Sequence, residues 1–415
     1  MSDTSEVTVR QDAEVWAAVD AETVRQEQQL ELIASENHTS PEVMAAMGTA
    51  LTNKYAEGYP GRRYYGGCEH VDIVEDLARD RAKALFNCSR ANVQPHSGTQ
   101  ANMGALMAIC EPGDRVLAMS LDHGGHLSHG HPKNFSGVFY EFHHYGVEQE
   151  GERIDMDRVR EQALALRPRV LLAGASAYPR TLDFAAFAEI AREADAHLMV
   201  DMAHIAGLVA GGVHPSPLPH ALVTTLTTHK TLRGPRGGMI LADSDIIKKV
   251  NSAVFPGGQG GPLMHVIAAK AVALAEAARP TFAAYARDTV ANARALAEAL
   301  AAGGLRIISG GTDNHLLLVD VGSAGLSGRE AEDRLHAVDI TCNKNLIPFD
   351  QRPPMEASGI RLGTAAITTR GLGTADVSEL GALIVEMLSQ PATEERSARV
   401  RGAVADLARA FPIYA

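Results

Sequence analysis

Lys230 is the residue whose surroundings most clearly indicate chemistry. It follows a β-prone, threonine-rich run at residues 224–228 and precedes a glycine-rich turn at residues 233–238. A strand end that enters a turn is where a rigid scaffold often presents functional groups. A lysine that is partly desolvated there can lose its proton and form a Schiff base with a carbonyl compound. The alternative is a solvated surface charge, which is the usual state of a lysine.

A Schiff-base lysine indicates pyridoxal phosphate, which also needs a carboxylate for its ring nitrogen and an anion site for its phosphate. Asp201 ends an apolar run at residues 197–200, where an unpaired carboxylate would be costly to bury. Residues 95–102 offer hydroxyls, glycine and backbone amides ahead of a helical run. Each signal alone also fits a helix cap, a turn or an ion pair. Their order within one α/β region predicts a cofactor site.

Four histidines occur within residues 123–131. A metal site is one interpretation, but acidic or cysteine co-ligands at supporting spacing are not evident. The glycines favour a loop that lets an imidazole lie flat on a ring, so we predict no metal. Sequence patterns for dinucleotide binding, a P-loop, a zinc protease or a nucleophile elbow are also missing.

Two further stretches are unusually polar for a core. Residues 55–67 combine tyrosines, arginines and Glu57 among glycines, which fits proton transfer or else an exposed loop or subunit contact. Arg361 lies inside a short strand-like run at residues 358–364, where it could clamp a carboxylate or form a structural ion pair. The residues alone leave both pairs of alternatives open.

A scaffold for these residues is predicted by the apolar pattern. From about residue 90 to 260, short apolar runs alternate with helical patterns, which favours a mainly parallel sheet with covering helices. Strands are expected at residues 115–119, 169–173 and 197–200, and Asp183 is expected to cap a helix between the last two.

The length of 415 residues exceeds that of one ordinary domain. We predict an N-terminal helical arm at residues 1–60, a large domain at 61–280 and a smaller C-terminal α+β domain at 281–415. Further predicted elements are helices at 262–278, with Pro262 in the first turn, at 283–302 and at 376–388, and a strand at 314–320.

Composition and net charge disfavour some classes of binding partner. The formal net charge of −12 disfavours attraction of nucleic acid by a general positive field. No run of about 18 apolar residues is present, so no membrane span is expected. The four cysteines are scattered without a C-x-x-C pair, and the N-terminus lacks a signal-like segment. A cytoplasmic setting is therefore expected.

Eight stretches carry a family resemblance. They are LIASEN at 32–37, LTNKYAEGYPG at 51–61, RYYGGCE at 63–69, ANVQPHSG at 91–98, HGGHL at 123–127, DMAHIAG at 201–207, TTHKTL at 227–232 and FPGGQGGP at 255–262. With them the chain resembles serine hydroxymethyltransferase over nearly its whole length. The resemblance implies a fold type I pyridoxal-phosphate transferase, similar to aspartate aminotransferase. Its large domain would hold a mainly parallel seven-stranded sheet, and its small C-terminal domain would be α+β.

The resemblance also implies how the cofactor is held. Lys230 would carry pyridoxal 5'-phosphate, Asp201 would pair the ring nitrogen, and His126 would stack on the ring. The remaining implied contacts are Ser97, Gly98, Thr99 and His229 at the phosphate, Ser176 and His204 at the ring oxygen, and Tyr55 and Gly261 from a partner subunit. A homodimer with shared active sites follows, which can pair into a tetramer.

Substrate contacts are implied in the same way. Arg361 and Ser35 would bind the substrate carboxylate, and Glu57 would transfer protons near the serine hydroxyl and the folate. Tyr65, Arg236 and Thr227 would complete the catalytic site, and the implied folate-binding positions are Tyr64, Leu121, Gly125, Leu127, Asn345, Pro353, Pro354 and Met355. The implied reaction interconverts L-serine and glycine and passes the one-carbon unit to tetrahydrofolate, which becomes 5,10-methylenetetrahydrofolate.

The chain departs from the usual family pattern at Leu222, Leu226, Asp122 and Ala365. These departures leave the cofactor residues intact but bear on the substrate. One alternative is a paralogue similar to α-methylserine hydroxymethyltransferases, which accept D-alanine. A second is a folate-independent aldolase for β-hydroxy amino acids, and a third is a non-catalytic binding protein, which the intact Lys230 disfavours.

Overall fold

The computed structural model describes residues 10–391 and 393–414. In this part of the chain the helices are α1 Ala13–Gln28, α2 Pro41–Met47, α3 Glu69–Phe86, α4 Gly98–Ile109, α5 Phe135–Phe139, α6 Met156–Leu166, α7 Phe184–Glu193, α8 Ala206–Ala210, α9 Ile247–Ser252, α10 Met264–Ala277, α11 Pro280–Ala302, α12 Gly328–His336, α13 Ala365–Arg370, α14 Thr374–Ser389 and α15 Glu394–Ala410. Among the residues so described, no helix has the length and apolar character needed to cross a bilayer.

The strands form two main sheets and two short pairs. They are β1 Leu30–Glu31, β2 Gly58–Tyr59, β3 Arg62–Arg63, β4 Arg90–Asn92, β5 Arg115–Met119, β6 Glu141–Tyr145, β7 Val170–Ala173, β8 His197–Asp201, β9 Val223–Thr227, β10 Gly238–Ala242, β11 Arg306–Ile307, β12 Leu316–Asp320, β13 Ile340–Thr341, β14 Asn343–Asn345 and β15 Gly359–Gly363.

The larger sheet has seven strands in the order β4-β10-β9-β8-β7-β5-β6. Neighbouring strands from β9 to β6 pair in parallel, and β10 is antiparallel to both β9 and β4. Successive residues alternate between two buried faces: Leu171 belongs to the core under α3, α7 and α10, whereas Leu172 packs with α4 and α9. A parallel sheet covered on both faces explains why the central strand β7 is apolar throughout and every residue of β7 and β9 is buried. The predicted seven-stranded α/β fold is confirmed.

Most predicted elements form within a few residues of their expected ends. Asp183 caps α7 and accepts a hydrogen bond from the amide of Ala186 at 3.0 Å. One detail is wrong: α10 begins at Met264, so Pro262 lies ahead of the first turn. It is Pro280 that occupies the first turn of a helix, at the start of α11.

The C-terminal region has its own antiparallel sheet, β11-β12-β15-β14, and a separate apolar core. The helix α11 serves both cores, because Phe282 packs with the large sheet and Leu296 with the small one. Part of the predicted N-terminal arm also joins the small core, since β1 pairs in parallel with β13. Residues 1–9 of that arm lie outside the described residues. The domain limits at residues 60 and 280 stay a prediction.

Candidate active site

A cavity of about 510 Å³ opens beyond the carboxyl ends of β5, β7, β8 and β9. Parallel α/β sheets usually bind their ligands at this edge. The residues that line it are Ser35, Glu36, Ser97, Gly98, Thr99, Leu121, Gly125, His126, Leu127, Ser176, Ala177, His204, Thr227, His229, Lys230, Arg236, Asn345 and Arg361. All except Glu36 and Ala177 are residues that the sequence had singled out.

Lys230 lies just beyond the end of β9 and is only 7% exposed. Burial lowers the pKa of its amine to about 8; the charges of Arg361 and Arg236 act in the same direction, and Asp201 opposes them. No hydrogen bond to this amine occurs among the residues that the structure describes. The amine therefore has a substantial neutral fraction at mildly alkaline pH and can act as a nucleophile.

The carboxylate of Asp201 lies behind the cavity wall, at the end of β8. It accepts hydrogen bonds from Asn102 Nδ2 at 2.8 Å, His129 Nε2 at 3.0 Å and the Ala203 amide at 3.0 Å. Burial alone would raise the pKa of Asp201, but the bond from His129 and the other donors hold it well below its usual range. The group therefore stays ionised and suits a cationic ring nitrogen.

Asn102 and His129 were not predicted as site residues. Thr225 completes this network, because its hydroxyl donates to Asn102 Oδ1 at 2.6 Å. The only sequence signals were the place of Asn102 in the 95–102 motif and that of His129 in the histidine run. These signals did not indicate that Asn102 and His129 both bind Asp201.

The histidine loop lies beside this carboxylate. Ligand atoms of His126, His129 and Asp201 lie within 4.8 Å of one another, so the fold supplies the acidic neighbour that spacing did not indicate. Hydrogen bonds already account for the grouping, since His126 Nδ1 is 2.6 Å from Ser128 Oγ and His129 is bound to Asp201. Burial lowers the pKa of His126 to about 4, which keeps its imidazole neutral.

The start of α4 offers an anion site. Ser97 is its N-cap, and its hydroxyl accepts from the Gln100 amide at 3.2 Å. The first amides of a helix and the helix dipole favour an anion at this end. Gly98 is required here, since a Cβ would lie 2.6 Å from Thr227 Cγ2. Burial also lowers the pKa of His229, another residue of the cavity lining, to about 3, so it contributes a neutral ring.

Arg361 projects from β15 and is held by neutral groups. Its Nη1 donates to the Ser176 carbonyl at 2.8 Å and its Nε to Asn343 Oδ1 at 3.2 Å. Burial lowers its pKa to about 10, and it has no carboxylate partner among the described residues. A buried guanidinium without an anion is costly, so a ligand carboxylate is its natural partner.

His204 also contacts a second buried imidazole. Its Nδ1 lies 3.2 Å from Nε2 of His315, and burial lowers the pKa of both rings, that of His315 to about 3. Because a neutral imidazole has one N–H and one free nitrogen, one of these rings can donate a hydrogen bond to the other. His315, on the C-terminal side of the cavity, was not predicted from the sequence.

The structure does not bring every predicted residue into the cavity. Tyr55, Glu57, Tyr65 and Gly261 form a separate group, in which Tyr55 Oη donates to Glu57 at 3.3 Å and the two tyrosine rings are 5.3 Å apart. Besides Asp201 behind the wall, four further predicted residues lie outside the cavity lining, namely Tyr64, Pro353, Pro354 and Met355. Exposed fractions of 57% for Tyr55 and 74% for Tyr64 are high for aromatic side chains.

A buried ion-pair network holds that group in place. Arg63 pairs with Glu75 at 2.7 Å and Asp72 at 2.8 Å, and its Nη1 donates to the carbonyls of Ala56 and Gly58 at 2.9 Å. The loop that carries Glu57 is therefore rigidly supported although it is exposed.

Comparison with protein-family models gives a match over residues 8–384 to the family described as serine hydroxymethyltransferase. The matched segment includes both sheets and every residue that lines the cavity.

Proposed function

The chain belongs to the serine hydroxymethyltransferase family, and from this premise we propose that it interconverts L-serine and glycine with tetrahydrofolate as the one-carbon acceptor. Family membership makes it a pyridoxal-phosphate-dependent hydroxymethyltransferase of fold type I. The observation that carries the finer proposal is one cavity that holds a nucleophilic Lys230 and a guanidinium, Arg361, without an anionic partner among the described residues. The carboxylate of an amino acid would pair with Arg361, while Lys230 would hold the cofactor.

The donor set suits pyridoxal phosphate. Lys230 supplies an amine for the aldehyde, the ionised Asp201 a partner for the ring nitrogen, and the start of α4 a site for the phosphate. When bound, this cofactor accepts the electrons that are released when the Cα–Cβ bond of serine breaks. We assign phosphate contacts to Ser97, Gly98, Thr99 and His229, ring stacking to His126, and contacts with the ring oxygen to Ser176 and His204.

The amino-acid substrate would be oriented by Arg361 and Ser35. We propose that Arg361 and Ser35 bind the carboxylate, which places the hydroxymethyl group towards the cavity mouth. Arg236 and Thr227 bound the same space. Leu121 and Leu127 are 44% and 50% exposed at that mouth, which supports an apolar contact with the pteridine ring of a folate. Gly125 and Asn345 would adjoin it, with Pro353, Pro354 and Met355 beyond.

We also propose a homodimer with shared sites. Tyr55, Glu57, Tyr64, Tyr65 and Gly261 lie outside the cavity of their own chain, which supports their entry into a partner's cavity. There Glu57 and Tyr65 would move protons at the substrate hydroxyl. All four cysteines are free thiols, which supports a reducing, cytoplasmic setting.

Product analysis on purified protein tests the reaction. We expect glycine from L-serine only when tetrahydrofolate is present, with weaker activity on α-methylserine and D-alanine. Turnover of serine without folate would contradict the proposal and indicate an aldolase. Exclusive action on α-methylserine or D-alanine would assign the chain to the paralogue.

The role of Lys230 is tested by its absorbance. Lys230→Ala should abolish the visible band of covalently held cofactor, because no other amine is assigned to the aldehyde. An unchanged spectrum would refute this role. Lys249→Ala is the matched control, since Lys249 lies on α9, outside the residues that line the cavity.

A further inference from the structure

The side-chain amide of Asn37 forms hydrogen bonds with several segments around the cavity. Its Nδ2 donates to the backbone carbonyl of Lys230 at 2.9 Å and to the hydroxyl of Tyr285 at 2.8 Å. Its Oδ1 accepts from the hydroxyl of Thr369 at 2.7 Å and from the His38 amide at 2.9 Å. Both N–H groups and both lone pairs of the amide are therefore satisfied.

Tyr285 extends this contact to the next peptide group. Its hydroxyl accepts from Asn37 and donates to the carbonyl of Thr231 at 3.1 Å. The guanidinium of Arg233 lies over the same ring, 4.5 Å from its centroid. The carbonyls of two successive residues, Lys230 and Thr231, are thus held by a half-buried asparagine of the N-terminal segment and a buried tyrosine of α11.

The main chain at Lys230 needs such support. Lys230 lies in neither a helix nor a strand, and among the described residues the only backbone hydrogen bond to its carbonyl is a turn bond from the Arg233 amide at 3.0 Å. The turn that follows contains Arg233 in the left-handed region, with φ +62°. A backbone in that region persists only when its surroundings hold it. Thr39 contributes as well, since its hydroxyl donates to the carbonyl of Arg233 at 3.1 Å.

We propose that Asn37 is a positioning residue that holds the main chain of Lys230, so that the amine returns to the same place whenever it attaches the cofactor. The proposal rests on the proposed function, because it takes Lys230 as the attachment point. Asn37 lies two residues after Ser35, a residue of the cavity wall, and contacts α13 through Thr369. It therefore links the lysine turn to the segment that carries a substrate contact.

The test follows attachment of pyridoxal phosphate to apoprotein by stopped-flow absorbance over a range of cofactor concentrations. Asn37→Ala leaves the Lys230 carbonyl without this donor, so we expect the saturating attachment rate to fall about tenfold or more. The concentration for half-saturation should stay within about twofold, because the phosphate site at α4 is untouched. Tyr285→Phe, which removes the bond to Thr231, should slow the same step.

Thr369→Val is the matched control. It deletes a bond of the same Asn37 side chain but leaves both donors towards Lys230 and Tyr285. Its melting temperature should fall while the saturating rate stays within about twofold of wild type. If Asn37→Ala does not fold, the contrast between Tyr285→Phe and Thr369→Val decides.

Two results would overturn the role of Asn37: wild-type attachment rates in both Asn37→Ala and Tyr285→Phe, or equal slowing by Thr369→Val. A failure of the wild-type protein to attach pyridoxal phosphate would instead refute the proposed function, so the two failures are distinguishable.

Discussion

At the scale of residues, the charges in and behind the cavity are set by burial and by hydrogen-bond partners. Lys230 is made less basic, Asp201 is held ionised by donors, and Arg361 is held by neutral acceptors. An amine, an anion and a cation can coexist here because the anion has its own hydrogen-bond donors and the cation its own neutral acceptors. Burial also keeps the imidazoles of His126 and His229 neutral, so they add no positive charge to the cavity.

The lowered pKa of Lys230 gives a pH dependence with a definite sign. Only the neutral amine attacks an aldehyde, so cofactor attachment should speed up as pH rises through about 8. We expect the rate constant to increase about fivefold from pH 7 to pH 8 and to level off above about pH 9. Stopped-flow absorbance with apoprotein measures it.

Arg361→Gln serves as the comparison variant. The charge of Arg361 lowers the pKa of Lys230, so its removal should move the midpoint to higher pH. A wild-type rate that still rises tenfold per unit up to pH 10 would show that Lys230 has the pKa of an ordinary lysine.

At the scale of elements, β9 explains one departure from the family pattern. Side chains alternate along a strand. Thr225 and Thr227 face α4, where they contact Asn102 and Gly98. Leu226 points to the other face and is fully buried in the large core. Its effect is on packing, although it lies close to Lys230 in the sequence.

Leu226→Thr should therefore change stability and leave specificity alone. It removes buried methyl groups and buries a hydroxyl, which should lower the free energy of unfolding of the apoprotein by about 2–4 kcal/mol. Urea denaturation measures this change. The ratio of kcat/KM for L-serine to that for α-methylserine should stay within about twofold. A changed ratio at unchanged stability would give Leu226 a direct part in substrate choice.

At the scale of the whole molecule, the cavity lies between two sheets with separate cores. Arg361 reaches from the small sheet to the Ser176 carbonyl, in the loop that follows β7 of the large sheet. Two ion pairs tie the same regions together, Arg180 with Asp313 at 3.1 Å and Arg306 with Glu152 at 2.9 Å. The relative position of the two sheets therefore sets the distance between Lys230 and Arg361.

A shared site predicts complementation between two inactive variants. If Tyr55 serves the cavity of a partner, mixed dimers of Tyr55→Ala and Lys230→Ala contain one site with both changes and one with neither. After co-refolding of equal amounts, we expect about a quarter of the wild-type activity. Each variant refolded alone is the control, and a mixture that stays inactive would contradict shared sites.

The sequence by itself indicated most elements and marked Lys230 and Arg361, because these signals are local. The apolar runs predicted the strands, Asp183 predicted the start of α7, and the threonine run ending before a turn marked Lys230. Arg361 was likewise expected inside a strand, and β15 contains it. Features that depend on a few consecutive residues can be predicted from those residues alone.

Only the tertiary structure decided which distant residues support these groups. Asn102 meets Asp201 from 99 residues away, Asn37 meets Lys230 from 193, and Arg361 reaches Ser176 from 185. Such contacts depend on strand order and on the packing of loops at one edge of the sheet. A hydrogen bond is short and directional, so a residue type alone cannot reveal its partner until the fold has brought the two together.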